Sequence, residues 1–542
     1  MAEKHKSSRI TRIPYWRLVV EQDVVNQEII DYPFSGEGTE EDPFVVTWIP
    51  NDPRNPMRFK QLTKWTITML VALAALAVSL DSSAYTGGVF EIEEEFQIST
   101  EVATLGVSLF VLGFAIGPLL WAPLSELFGR QVLFTTTYFA LTAFNCGAAG
   151  AQNSWTLVIL RFFAGAFGSS PLTNAGGVIA DMFEAKERGI AMGTFAAMPF
   201  LGPVIGPIVG GFLGMNAGWR WVMGLLGAFS GVVWILGTLL IPETYAPMLR
   251  RRAAKLSQMT GKIYRSKPEI DQGKINLGKS FKIALSRPWA LLFREPIVFL
   301  LSLYIAIIYG TLVSDCVQEV RGWNQGVGAL PFLGIMVGML LGFVYTILDN
   351  QRYIKNQRRH GGFASPEARL PPTMLASITI PVGLFWIAWT NSPSIHFMVS
   401  IVAGVPFGFG IVLVFLGVMN YLIDAYTIYA ASVLAANSVL RSIFGAVSPF
   451  LLLICIKGWV FTGPPRFQHF YPWPVFHSLS CFTSTVLPFE SAASILRNLM
   501  LSFKSCKKGH RHNQNPTKRR KKARIQTSPK LLHQRQMAEA IA

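Results

Sequence analysis

The residues best placed to do chemistry in this chain are two ionisable groups set inside apolar stretches, Asp81 and Arg161. Charge in hydrocarbon is costly, so such groups mark substrate or ion pathways when they face an interior. Asp81 is a candidate proton site or partner for a cationic substrate. The alternative is a solvated residue at a helix end. Arg161 is either a fixed positive charge that tunes a nearby proton-binding acid or a snorkelling side chain whose head reaches the interface.

A second constellation is conformational. Leu201 to Gly211 read Leu-Gly-Pro-Val-Ile-Gly-Pro-Ile-Val-Gly-Gly. Gly202, Gly206 and Gly210 fall on one helix face and permit close backbone contact with another helix. Pro203 and Pro207 each remove a backbone donor and favour a bend. Packing accounts for any single glycine here, Gly211 included, but poorly for the doubled Gly-Pro. A third constellation runs from Gly117 to Arg130 as Gly-Pro-Leu-Leu-Trp-Ala-Pro-Leu-Ser-Glu-Leu-Phe-Gly-Arg. Gly129 allows a tight reversal. Glu126 suits the orphan N-terminus of a neighbouring helix. Arg130 suits an acid or a lipid phosphate. Together they form a charged latch or an ordinary membrane-surface turn.

Two strings mislead in isolation. Gly273 to Ser280 fit the phosphate-loop pattern, but that motif works only between a buried strand and a helix. Ser266-Lys-Pro-Glu-Ile-Asp is no such strand, and a basic surface near anionic headgroups is the expected use. Phe281 to Phe293 suit an interfacial amphipathic helix anchored by Trp289. Lys518 to Lys522 resemble a nucleic-acid patch, yet on a membrane chain they suit a headgroup-binding or unstructured tail. The five cysteines show no metal-ligand spacing.

The elements that must hold these residues are membrane helices. Charged residues make up 15% of the chain, against about 25% in soluble proteins. The net charge of +17 does not signal nucleic acid, because residues 501–542 alone carry twelve Lys and Arg against one acid, Glu539. A span needs about 20 mostly apolar residues. The sequence predicts spans 1 to 6 at Trp65–Tyr85, Val102–Pro123, Val132–Ala151, Leu157–Ala180, Ile190–Met215 and Trp221–Ile241. Spans 7 to 11 follow at Ile297–Val313, Val327–Ile347, Met374–Trp389, Met398–Leu422 and Ser432–Ile456. A twelfth, Tyr471–Phe489, is broken by Pro472, Pro474 and Pro488. Basic residues crowd alternate loops, with twelve between Arg250 and Arg294, which puts the N-terminus in the cytoplasm. The organisation is a cytoplasmic tail (1–63), a six-helix bundle (64–242), a basic central loop (243–294), a second bundle with five clear spans (295–456) and a doubtful twelfth span with a basic tail (457–542). Two halves of six are what an internally repeated transporter predicts.

These motifs resemble those of the major facilitator superfamily, and within it the fungal twelve-span drug:proton antiporters and polyamine exporters. The Gly117–Arg130 loop is similar to the family's loop motif, with Ala122 for its first glycine and Glu126 for its usual Asp. Arg161, Gly165 and Gly168 match a second motif, and Gly202 to Gly211 match the antiporter pattern. Pro242 to Pro247 and the string Asn420, Tyr421, Asp424, Asn437 and Arg441 look like the fungal exporters. The resemblance covers about residues 60 to 450. It implies an all-α integral membrane protein with the major facilitator fold, two six-helix halves and a midplane site formed by spans 1, 4, 7 and 10. It implies alternating access, with an entering proton driving a drug, toxin or polyamine out. The implied partners are a small-molecule substrate, protons and membrane lipid, on a monomer in the plasma membrane or alternatively the vacuolar membrane. It implies no cofactor, metal, nucleic acid or enzymatic activity.

The chain departs from the family in two places. Thr311 to Cys316 run directly into Val317 to Trp323 where relatives carry a longer aromatic stretch, so the outer end of span 7 is expected to be short. Resemblance ends near Val447, and the following residues look like a shifted frame or retained intron. The rival expectations are therefore a transport-inactive sensor, an uncoupled uniporter or importer, and a non-functional product with an incomplete second half.

Overall fold

A computed structural model describes residues 15–20, 25, 27–49, 52–244, 247–272, 277–312, 324–359, 366–390, 395–426 and 430–462. Spans 1 to 6 are the helices Gln61–Ala84, Thr100–Phe128, Arg130–Ala149, Ser154–Met182, Ala185–Ala217 and Trp219–Leu240. Spans 7 to 11 are Pro296–Leu312, Pro331–Arg359, Pro371–Thr390, Phe397–Ala425 and Ala430–Thr462. Among the described residues, nine helices are long and apolar enough to cross a bilayer. Spans 7 and 9 are the shorter ones. Span 7 has 17 described residues, and the apolar run of span 9 is Pro371–Ile387. The proposed twelfth span, the basic tail and residues 313–323 lie outside the described residues, while the residues just past Val447 continue the helix Ala430–Thr462.

The helices form because apolar side chains cover most of their circumference, as helices buried in lipid and protein require. Their reversals rest on glycine. Gly129 (φ +97°) turns span 2 into span 3 and Gly218 (φ +93°) turns span 5 into span 6. Both angles disfavour any residue with a Cβ. Asn153 starts span 4 by accepting a hydrogen bond from the Thr156 amide at 2.8 Å, which satisfies an orphan donor of the first turn.

In the first half, Phe110, Tyr138, Leu141 and Ile179 are fully buried among spans 1 to 4. The halves meet along two seams. Ala115 and Leu119 of span 2 pack with Val439 and Ile443 of span 11. Phe200 of span 5 meets Phe415 of span 10 edge to face, with ring centroids 4.6 Å apart.

The N-terminal segment and the central loop pack as one unit. Strand β1 (Phe44–Val46) pairs in parallel with β2 (Tyr264–Ser266), Phe44 opposite Tyr264. Two strands alone are barely stable in water. Here Ile29, Phe34 and Val46 bury against Leu249, Ala253 and Leu256, the latter three on helix Pro247–Thr260. Asp52 and Arg252 form a buried ion pair at 2.7 Å. The residues before the phosphate-loop-like string form the short helix Lys267–Gln272, and residues 273–276 lie outside the described residues. The amphipathic segment is the helix Leu277–Arg294. It meets span 7 at a 96° bend.

Candidate functional site

Asp81 and Arg161 are brought together. Asp81 sits on span 1 with 2% of its surface exposed and Arg161 on span 4 with none. Arg161 Nη1 donates to Asp81 Oδ1 at 2.5 Å, and Nη2 donates to the Asp81 carbonyl at 2.9 Å. Nε donates to the Gly106 carbonyl at 3.3 Å. Asn145 of span 3 donates to the other carboxylate oxygen at 2.6 Å. The guanidinium lies 4.1 Å from the Phe110 ring centroid and 5.0 Å from that of Tyr85, within cation–π range. Burial and pairing leave neither a solvated helix end for Asp81 nor a snorkelling geometry for Arg161. Sequence reasoning missed Asn145. Its signal was an amide inside the apolar run of span 3.

The span 5 glycines face span 1. A Cβ on Gly202, Gly206 or Gly210 would collide with Ser79, Ser83 or the Ala84 carbonyl respectively. Gly211 is also buried. The prolines do not interrupt the helix Ala185–Ala217. Pro203 has no N–H for the Pro199 carbonyl four residues back. Ser79 supplies the donor instead, its hydroxyl reaching Pro199 O at 2.5 Å. Ser83 donates to Gly202 O at 3.3 Å.

The Gly129–Arg130 turn lies where the ends of spans 2, 3, 4 and 6 meet. A Cβ on Gly117 would strike Ser169 and the Ala166 carbonyl of span 4. Arg130 Nε pairs with Asp181 at 2.9 Å, and its Nη1 donates to the Asn174 carbonyl at 3.1 Å. The N-terminus of span 3 is held by Glu243. Its two carboxylate oxygens accept from the amides of Arg130 at 3.0 Å and Gln131 at 3.2 Å. The Glu126 side chain lies outside the described residues. Asp181 was also missed, because nothing in its own neighbourhood names Arg130 as its partner.

The second half repeats this arrangement. Asp424, near the end of span 10, accepts from Arg369 Nε at 3.1 Å and from the Tyr353 hydroxyl at 2.9 Å. The Arg369 guanidinium lies 3.4 Å from the Tyr353 ring centroid. In each half an arginine from an even-to-odd span loop grips an aspartate at the end of an even span. Asn420 and Tyr421 are half-buried on span 10. The rest of that motif lies elsewhere. Asn437 is fully buried and donates to Ser302 of span 7 at 3.2 Å. Arg441 of span 11 lies 5.3 Å from the Phe415 ring centroid.

Comparison with known proteins agrees with this architecture. A family model of the Major Facilitator Superfamily matches residues 71–449. The chain is 72% identical over 455 residues to the Major facilitator superfamily multidrug transporter mdrA of Aspergillus fumigatus, covering 83% of this chain and 75% of that protein. It is 64% identical over 446 residues to the MFS-type efflux pump MFS2 of Trichophyton rubrum, covering 81% and 75%. Among solved structures, the proton:xylose symporter XylE is similar with a TM-score of 0.53 at 15% identity, covering 79% of this chain and 96% of that one. That likeness concerns the fold alone. The chain belongs to the Major Facilitator Superfamily, a family of multi-pass membrane transporters, and within it to the fungal drug-efflux group.

Proposed function

We propose that this transporter exports small organic compounds, drugs or toxins, from the cytosol in exchange for protons. The observation that carries the coupling is the buried Asp81–Arg161 pair with Asn145 on the remaining carboxylate oxygen. A proton on Asp81 cancels the charge that holds Arg161, and the freed guanidinium needs a new partner. A buried charge left alone is costly, so protonation gives the two states different energies, which any coupled equilibrium requires. Span 1 moves with span 5 because of the glycine contacts. The Arg130–Asp181 and Arg369–Asp424 clusters serve as latches that break and reform as the halves rock.

The efflux direction is supported by the names of the relatives. They do not favour a transport-inactive sensor or a defective product. Drugs are favoured over polyamines because a polyamine needs several acids. Among the described residues within the spans, Asp81 is the fully buried acid, and Arg161 already occupies it. The protein works as a monomer in the plasma membrane with its N-terminus in the cytoplasm. Proteoliposomes with an imposed pH gradient and a fluorescent drug test this reading. Wild-type chain moves the drug against its gradient, and Asp81→Asn does not. Equal accumulation by both would refute the coupling.

A further inference from the structure

Span 8 continues well past the membrane and changes character on a single face. Val337, Leu341, Val344 and Leu348 are 46 to 59% exposed. Steps of three or four residues keep neighbours on one helix face. The same spacing carries that stripe onward to Arg352, Lys355 and Arg359. The stripe therefore turns from apolar to cationic after Leu348. From Pro331 to Leu348 the helix rises roughly 27 Å at about 1.5 Å per residue, close to the roughly 30 Å hydrocarbon thickness. Arg352 and Lys355 emerge at headgroup depth, and Arg359 about 16 Å beyond Leu348.

The cationic stretch borders a cavity of about 560 Å³, walled by Leu348, Arg352, Lys355 and Arg359 on one side and by Ala368 and Pro371 on the other. No acid lines it. Arg352 also holds Asp349 through Nε at 2.9 Å and donates to the Ala368 carbonyl at 3.3 Å, which fixes its place on the cavity wall.

We infer that this cavity binds the headgroup of an anionic phospholipid. The phosphate sits among Arg352, Lys355 and Arg359, and the acyl chains run along Leu348, Val344 and Leu341. The shared chemistry is a phosphate oxyanion, which Arg and Lys bind through charge-assisted hydrogen bonds. The apolar stripe entering the cavity from the membrane side selects a lipid over free phosphate. A water-soluble anion gains nothing from Leu348 or Val344. Loop 8–9 also carries Arg369, which holds Asp424, so an occupied cavity fixes the segment next to the second-half latch.

The test uses the full purified chain in detergent, with bound lipid counted by native mass spectrometry. Dioleoylphosphatidylserine, dioleoylphosphatidylcholine and inorganic phosphate are the three probes. Wild-type chain is expected to take the serine lipid over the choline lipid and to keep it against an excess of inorganic phosphate. The variant R352Q/K355Q/R359Q is expected to bind the serine lipid about a hundredfold more weakly, while K255Q/K262Q, exposed and off the cavity wall, retains it. Because the triple glutamine variant can fail through misfolding, R352K/K355R/R359K provides the check. It keeps the charge and is expected to keep the lipid. Unchanged binding in the glutamine variant, loss in the charge-conserving variant, or no preference over phosphatidylcholine overturns the inference. So does displacement of the lipid by inorganic phosphate.

Discussion

Ser79 of span 1 fills the hydrogen-bonding place that Pro203 of span 5 leaves empty. The Pro199 carbonyl takes the Ser79 hydroxyl at 2.5 Å where a regular helix would offer the amide of residue 203. The doubled Gly-Pro motif is thus half of a two-helix device, its other half being the serines and small residues of span 1. Ser79→Ala strands a buried acceptor and is expected to cost about 1–3 kcal/mol. Ser83→Ala costs less, because the Gly202 carbonyl keeps its regular helical donor. Thermal melting of the two purified variants compares them, and equal midpoints would contradict the role given to Ser79. Gly206→Leu goes further, forcing span 5 off Ser83 and ending transport.

Arg161→Ala leaves Asp81 buried with Asn145 as its remaining side-chain partner. Breaking a buried pair costs about 3–5 kcal/mol, so this variant is expected to lose both expression and gradient-driven efflux. Replacing both partners at once, Asp81→Asn with Arg161→Gln, removes both charges and is expected to restore much of the expression without restoring coupling. Size-exclusion yield read beside vesicle flux separates the two effects. A double variant that still pumps against its gradient would show that the pair serves stability alone.

Glu243 and Gly129 form a joint. Gly129→Ala meets both a φ of +97° and a collision of the new Cβ with the Glu243 carboxylate. Glu243→Ala removes the cap on the Arg130 and Gln131 amides, a loss of about 1 kcal/mol. Both variants are expected to insert normally and to transport more slowly, since they disturb the latch and leave Asp81 untouched. Site-specific labels at the Phe128 end of span 2 and the Ala430 end of span 11 would report an altered balance between open and closed states. An unaltered balance in both variants would leave the cluster as a simple turn.

The Asp52–Arg252 pair joins the tail to the central loop across a separation of 200 residues. Arg252→Ala leaves Asp52 buried without that charge and is expected to release the tail, loosening the backbone at the already exposed Lys255 and Lys262 so that trypsin cuts there at concentrations that spare the wild type. Arg252→Met, which retains the packing volume, is expected to be milder. Identical digestion of all three proteins would contradict a docked tail.

The spans were legible because a long apolar run announces its own structure, and the glycines at 129, 202, 206 and 210 because close approach restricts residue type locally. Partners were harder to read. Asp81 and Arg161 each stood out, but their meeting depends on how spans 1 and 4 pack. Asn145, Asp181 and Glu243 carry no local mark of which distant groups they hold. Glu243 reaches the start of span 3 from beyond the far end of span 6, a contact that no local pattern announces. The union of tail and central loop was invisible for the same reason. Its strands are three residues each, too short to stand out by alternation, and they pair across more than 200 residues.

The central claim is that drug and proton movement are coupled through Asp81. Its most direct measurement reverses the usual assay. Proteoliposomes holding the purified chain and a pH-sensitive dye are prepared with no pH gradient, and an outward or inward drug gradient is imposed. The account predicts that downhill drug flow drives protons in the opposite direction, so the lumen acidifies as drug leaves it, and that Asp81→Asn lets the drug pass with no pH change. Drug flux through the wild type without proton movement, or proton movement undiminished in Asp81→Asn, would contradict it.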